Sequence, residues 1–82
     1  MATVMIPSVL RVITRAARLE VSGETVGEVL HQLTQEFPLL DPYLLDAVNI
    51  YVNQKNIKDL AQQNTPLNTT DVITIVPAMA GG

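Results

Sequence analysis

The residues of this chain best suited to chemistry are its last two, Gly81 and Gly82. Glycine has no Cβ, so a glycine pair forms the narrowest and least restricted peptide that a chain can offer. Such a peptide fits a tight channel and can present its terminal carboxylate to another protein's active site. A carboxylate becomes reactive as a mixed anhydride, which implies a partner that uses ATP. The alternative is an ordinary frayed terminus without a function.

Other side chains offer weaker chemistry. His31 is the single histidine and the chain has no cysteine, so we predict no metal site and no thiol nucleophile. Glu20, Glu24 and Glu28 recur every four residues, but a helix cap explains Glu28 better than an acid–base pair does. We therefore predict a carrier rather than an enzyme, with no catalytic residue and no bound cofactor of its own.

The bulk composition predicts one small globular domain. The 82 residues are 48% hydrophobic and 16% charged, which favours a compact core over disorder, and with only three aromatic residues that core must be aliphatic. The net charge of −3 argues against a nucleic-acid partner. No apolar run approaches the ~20 residues of a membrane span, and no secretory signal is visible, so we expect a cytoplasmic location.

The few cations are candidates for contacts with partners. Arg11, Arg15 and Arg18 could form a small basic patch near the first hairpin that docks an acidic surface, although ordinary solvation explains three arginines better. Lys55 and Lys58 are the only lysines. They would accept an isopeptide bond if the chain also tags proteins, but a solvated turn is the simpler interpretation.

The elements that must position the tail follow from hydrophobic periodicity. We predict an α+β roll of order ββαββ, in which one main helix packs on a mixed sheet. Residues 9–13 either extend the first strand or form an irregular excursion, 42–45 form a short helical turn, and 57–60 add a short strand. The predicted strands are 3–7, 19–21, 48–52 and 72–76, with 19–21 antiparallel to the first strand.

The helix has the clearest signal. Thr25 and Glu28 match a capping box, and Pro38 ends the helix because the residue before a proline avoids the α region. Gly27 in the first turn would permit close approach to a strand. One apolar stripe follows the cap, made of Val26, Val29, Leu30, Leu33 and Phe37.

The strand at 48–52 alternates in character. Ile50 and Val52 share one face with Val48, and residues 53–56 form a predicted turn. Tyr51 lies on the opposite face. There it would either join an exposed apolar docking patch or pack half-buried against the sheet.

The last strand is expected to hold the base of the tail. Residues 72–76 are all β-branched, which suits a central strand that is buried on both sides. Pro77 lacks a backbone donor and is expected to end the pairing. Residues 77–82 can then extend up to ~20 Å. We therefore expect a domain over 1–77 and a flexible diglycine tail over 78–82. The residues expected to keep this arm slender and to give Gly82 access to a partner are Ala78, Met79, Ala80 and Gly81.

With these features assigned, the sequence resembles the ubiquitin-like sulfur carriers, the family of the thiamin and molybdopterin sulfur-carrier subunits (ThiS/MoaD-like). The resemblance spans nearly the whole chain and is carried by residues 48–53, 71–77 and the terminal Gly81-Gly82. Residues 6–11 and 77–82 are most similar to the CysO-type branch, which delivers sulfide for cysteine synthesis. Met79 and the lack of surrounding phenylalanines depart from the molybdopterin type.

The resemblance implies a β-grasp fold and a set of partner enzymes. An E1-like adenylyltransferase would join the Gly82 carboxylate to AMP at the expense of ATP, and a sulfur donor would convert the product to a thiocarboxylate. In the CysO-type pathway a cysteine synthase, dependent on pyridoxal phosphate, would accept the sulfur, and a metalloprotease would release the cysteine. All catalytic residues would belong to these partners.

The sequence leaves the final acceptor open, with thiamin, molybdopterin or tRNA thiolation as alternatives to cysteine. Two other functions also remain open: a ubiquitin-like modifier that is conjugated to lysines, and a plain β-grasp interaction module whose tail is incidental.

Overall fold

The structure is a computed structural model that describes residues 1–46 and 48–77. One mixed sheet, of order β2-β1-β5-β3-β4, contains all the strands of this part of the chain. The strands are β1 (Ala2–Met5), β2 (Arg18–Val21), β3 (Val48–Val52), β4 (Lys55–Asn56) and β5 (Val72–Pro77), and the helices are α1 (Arg11–Thr14), α2 (Val26–Glu36) and α3 (Asp41–Asp46).

The register of the sheet confirms the predicted antiparallel first hairpin. Strand β1 pairs with β2, with Thr3 opposite Glu20, and on its other side it runs parallel to β5. Strand β5 is in turn antiparallel to β3. The α+β architecture with a mixed sheet is therefore present, with five strands where the core prediction had four.

Helix α2 begins and ends where the sequence predicts. The Thr25 side chain accepts a hydrogen bond from the Glu28 amide at 3.2 Å, which satisfies one of the free donors of the first turn. The Glu28 carboxylate reaches back to the amide of Glu24 at 3.1 Å, one residue earlier than in the usual box. Phe37 caps the other end, directly before Pro38.

The core lies between α2 and one face of the sheet and is aliphatic, as expected. The helix contributes Val26, Val29, Leu30 and Leu33, and half-buried Phe37 packs against the cluster. The sheet contributes alternate residues from four of its strands: Ala2, Val4, Val21, Ile50, Val52, Ile73 and Ile75.

The prediction that β5 is buried on both sides is wrong. Ile73 and Ile75 are buried, but Val72 and Thr74 are half-exposed and Val76 is 38% exposed. A single helix layer covers only one face of the sheet, so even the central strand alternates in burial. The β-branched run reflects strand propensity rather than two-sided burial.

Several short segments also depart from or refine the predictions. The excursion at 9–13 is helical, because a 3-10 turn at Ser8–Leu10 leads into α1. The expected strand at 57–60 is a 3-10 turn, Ile57–Asp59, and the extra strand β4 lies within the predicted turn. The turn predicted at 42–45 is confirmed as part of α3. The close neighbour of Gly27 is Gln63 of a 3-10 turn, rather than a strand.

Candidate functional site

The predicted site residues themselves lie outside the described residues. They are Ala78, Met79, Ala80, Gly81 and Gly82. What the structure describes is the element to which they are attached, strand β5, together with the surface around its last residue, Pro77.

Strand β5 is fixed in the sheet and the core, so the point at which the tail is attached has a defined position. It lies at the centre of the sheet, between β1 and β3, so both of its sides are paired. Ile73 is 0% and Ile75 is 2% exposed, which fixes the strand in the core by burial of two large side chains. Its register with β3 continues to Pro77, which is opposite Val48. Pro77 is therefore the last residue of β5 and is itself part of the last pair with β3.

The beginning of β5 is held by a polar cluster. The Asn53 carboxamide donates to Asp71 Oδ1 at 2.8 Å and accepts from the Val72 amide at 3.0 Å, while the Asn53 amide donates to the Val72 carbonyl at 2.9 Å. The second oxygen of Asp71 accepts from the Asn68 amide at 2.9 Å. These bonds join the turn after β3 to the residue before β5.

Sequence reasoning missed this polar cluster. The sequence predicts a turn at 53–56 without linking it to Asp71, whereas the sheet brings Asn53 and Asp71 together. The available signal was an asparagine directly after one strand and an aspartate directly before another, since such side chains bond to nearby backbone groups.

The C-terminal end of β5 shares one edge of the sheet with the first loop of the chain. Strands β1 and β5 are parallel, with Met5 opposite Thr74, so both leave the sheet in the same direction. Val48, opposite Pro77, begins β3 at this edge, and Arg18, opposite Met5, begins β2 there. We call this the exit edge, defined by the ends of these strands and the loop 8–17.

The three arginines, proposed from sequence as a basic patch, all lie at the exit edge. Arg18 begins β2, Arg15 ends α1, and Arg11 begins α1 and donates from Nε to the Ile6 carbonyl at 3.0 Å. All three residues are exposed. Lys55 lies at the opposite edge, because its partner Val52 pairs with Ile73 at the beginning of β5.

The face of the sheet without the helix extends from the exit edge. Register places Met5, Thr74 and Tyr51 side by side on this face, and Val76 lies nearest to the tail. Tyr51 is half-buried and is on the side of the sheet away from Ile50 and Val52, as predicted. Its position fits a partly exposed sheet surface.

The other residues considered for chemistry do not converge. His31 is exposed on α2, where it lines a shallow open cleft with Asp41 and Gln63. The Glu28 carboxylate is used by the helix cap. Within residues 1–46 and 48–77, no three His, Asp or Glu side chains are grouped so that they could hold a metal ion. No helix in those ranges is long and apolar enough to cross a membrane.

Comparison with known proteins gives a consistent picture. A family model described as the ThiS family matches residues 4–82. The chain is 33% identical to the sulfur carrier protein CysO of Mycobacterium tuberculosis over 90 aligned positions, covering 98% of this chain and 97% of that protein.

Solved structures show the same similarity in three dimensions. A chain in the crystal structure of the BexX/CysO complex from Amycolatopsis orientalis superposes with a TM-score of 0.90 at 28% identity, with full coverage of both chains. The small archaeal modifier protein 1 from Methanosarcina acetivorans gives a TM-score of 0.87 at 30% identity, covering 99% of this chain and 95% of that one. The predicted β-grasp fold is confirmed by this overlap.

Proposed function

The chain belongs to the ThiS family, and from this premise we propose that its sulfur travels on Gly82 as a C-terminal thiocarboxylate. The membership confirms the expected family and the prediction of a carrier rather than a catalyst. The chain is a sulfur carrier of the CysO type. The proposal adds the chemistry of loading and the identity of the partners.

Loading takes two steps, both catalysed by partners. The Gly82 carboxylate attacks the α-phosphorus of ATP on an E1-like adenylyltransferase, which releases pyrophosphate and leaves an acyl adenylate. A sulfur donor then supplies sulfide, which attacks the acyl carbon, and AMP departs with the original carboxylate oxygen. The product is a thiocarboxylate, in which one C–O bond of Gly82 has been replaced by a C–S bond.

The observation that supports this proposal best is the position of β5. A central strand with buried Ile73 and Ile75 holds the attachment point of the tail, while Val76 and Pro77 reach the sheet edge. We propose that 1–77 is the folded unit that partners grip. Residues 78–82 would be the arm that enters their active sites, with Gly81 and the small residues before it providing clearance.

Cysteine synthesis is the acceptor pathway that we favour. The matched relative is CysO, and a CysO chain from Amycolatopsis orientalis has been solved in complex with BexX. We propose that this chain docks a cysteine synthase that depends on pyridoxal phosphate, where the thiocarboxylate sulfur would form a bond to an activated serine derivative as the leaving group of that derivative departs. The new cysteine would still be attached to Gly82, and a metalloprotease would hydrolyse that bond to release it.

Pyrophosphate exchange tests the activation step. We expect the cognate E1-like adenylyltransferase to catalyse ATP–pyrophosphate exchange in the presence of the wild-type chain. Gly82→Ala should impair exchange with unchanged thermal stability, and a chain extended beyond Gly82 should be inactive. Deletion of Gly81 and Gly82 should also abolish exchange, whereas a plain interaction module would still bind its partner. Full exchange with the extended chain contradicts the proposal.

A protein modifier is the second candidate function. It is favoured by the similarity to the small archaeal modifier protein 1 at 30% identity. In that case Gly82 would become linked to lysines of other proteins after the same activation. Mass spectrometry of tryptic digests from the source cells, searched for lysines that carry the tail, separates the two functions.

A further inference from the structure

We propose that the exit edge is a docking surface for an acidic patch on the adenylyltransferase that reads the tail. The surface consists of Arg15 and Arg18 together with the exposed apolar residues Val9 and Val12. This inference rests on the proposed function, because it names a contact made by the same partner that activates Gly82.

The loop 8–17 leaves the sheet at the same end as the tail. The loop 8–17 follows β1, whose C-terminal end lies beside that of β5 in a parallel pair. Arg18 is opposite Met5, which is itself opposite Thr74, three residues before Pro77. Neighbouring strands are about 4.8 Å apart, so Arg18 lies two strands, or roughly 10 Å, from the strand that carries the tail. An enzyme that holds the tail close to the domain would therefore have this edge within reach.

Most of the positive charge of the chain lies at the exit edge. The chain carries a net charge of −3 and only five lysine and arginine residues, yet all three arginines are at the exit edge. Local positive charge on an acidic protein sets the orientation of approach to an acidic surface, since the rest of the molecule is repelled. The exit edge therefore carries three of the five cations of the chain, which matches an acidic enzyme surface, whereas Lys55 lies at the opposite edge.

Backbone angles and hydrogen bonds define the conformation of the loop around Arg15. Arg15 has left-handed backbone angles, φ 60° and ψ 23°, a conformation that favours glycine or asparagine. Its amide donates to the Arg11 carbonyl at 2.7 Å, and the Thr14 hydroxyl donates to the Ala16 carbonyl at 2.9 Å. These bonds fix the backbone where α1 ends, so the exposed side chain of Arg15 extends from a defined position.

Exposed apolar side chains at the exit edge favour a protein, rather than a nucleotide or a nucleic acid, as the partner of this surface. Val12 is 79% exposed and Val9 is 57% exposed, both on the loop that carries Arg11 and Arg15. Burial of these side chains against a protein surface would add a hydrophobic contribution between the charged contacts, as in ordinary interfaces. Phosphate groups alone would make no use of the two valines.

A charge-reversal pair with a matched control tests the proposal. Arg15→Glu/Arg18→Glu alters the exit edge, and Lys55→Glu/Lys58→Glu makes the same change of net charge away from it. In pyrophosphate exchange with the cognate adenylyltransferase, we expect the first variant to raise KM for the carrier about tenfold with unchanged kcat. The lysine variant should change KM less than about twofold, and the difference should shrink in high salt.

Two further variants keep the test decisive if the reversed arginines affect folding. Arg15→Gln/Arg18→Gln should raise KM by about threefold, and Val12→Ser should raise it without altering the salt dependence. Equal KM values for the arginine and lysine variants overturn the docking surface while leaving the proposed function intact. No exchange with the wild-type chain instead overturns the proposed function, and with it the partner named here.

Discussion

Asn53 and Asp71 join two turns that are 18 residues apart, with Asn53 Nδ2 donating to Asp71 Oδ1 at 2.8 Å. The bond lies at the edge of the sheet opposite the exit edge, where β5 begins. Asn53 also accepts a hydrogen bond from the Val72 amide through its side chain and donates one to the Val72 carbonyl from its backbone amide. The strand that carries the tail is thus fixed at its beginning by polar contacts and along its length by core packing.

Asn53→Ala should destabilise the fold. The change removes two side-chain hydrogen bonds and places alanine at a φ of 50°, which asparagine tolerates better. We expect a loss of about 2 kcal/mol in the free energy of unfolding, measured by urea denaturation. Asn53→Gly should lose about half as much, because glycine accepts the backbone angles. Asn64→Ala, at an exposed site, serves as the control and should be near neutral. An Asn53→Ala protein as stable as this control would contradict the role of the cluster.

Gln54→Gly should stabilise the fold. Asn53 and Gln54 both have positive φ, 50° and 80°, and form the two-residue connection between β3 and β4. This is the pattern of a type I′ turn, in which glycine is preferred at the second position. We expect a gain of about 0.5–1 kcal/mol, or about 4 °C in Tm. The same substitution within α2, Gln35→Gly, should lower Tm. A decrease in Tm for both variants would refute the assigned turn.

Thr25→Ala should weaken the beginning of α2. Its hydroxyl accepts the Glu28 amide at 3.2 Å, and alanine cannot replace this contact. The expected cost is about 1 kcal/mol in the free energy of unfolding. Thr34→Ala is the matched control, since the Thr34 hydroxyl only donates to the His31 carbonyl within the same helix. If both threonine variants lose the same stability, the cap contributes nothing specific.

The sequence was sufficient for the elements whose signals are local. The capping box of Thr25 and Glu28 and the apolar stripe after it predict α2 correctly, because helix caps and helical periodicity depend on residues within a few positions of one another. The antiparallel first hairpin and the central position of β5 also follow from pattern and order. The resemblance to a known family supplied the β-grasp fold.

Local sequence patterns do not predict features that depend on residues far apart in the sequence. The contact between Asn53 and Asp71 arises from the register of β3 and β5, which no local pattern specifies. The placement of the arginine patch at the same end of the sheet as Pro77 depends on the parallel pairing of β1 and β5. Burial of only one face of β5 reflects the single helix layer, whereas its β-branched composition suggested two covered faces.

Loading of Gly82 with sulfur is the central claim, and the intact mass of the carrier tests it most directly. The protein should be purified from its source cells without added thiols, beside a Gly82→Ala protein expressed in the same way. Replacement of one carboxylate oxygen by sulfur adds about 16 Da, so we predict a wild-type population heavier by that amount and converted to the unmodified mass by hydrolysis. The tandem spectrum should place the added mass on Gly82, and the variant should lack it. A single unmodified mass for the wild-type chain in cells that are actively making its sulfur-containing product, or an added mass located elsewhere, would contradict the account.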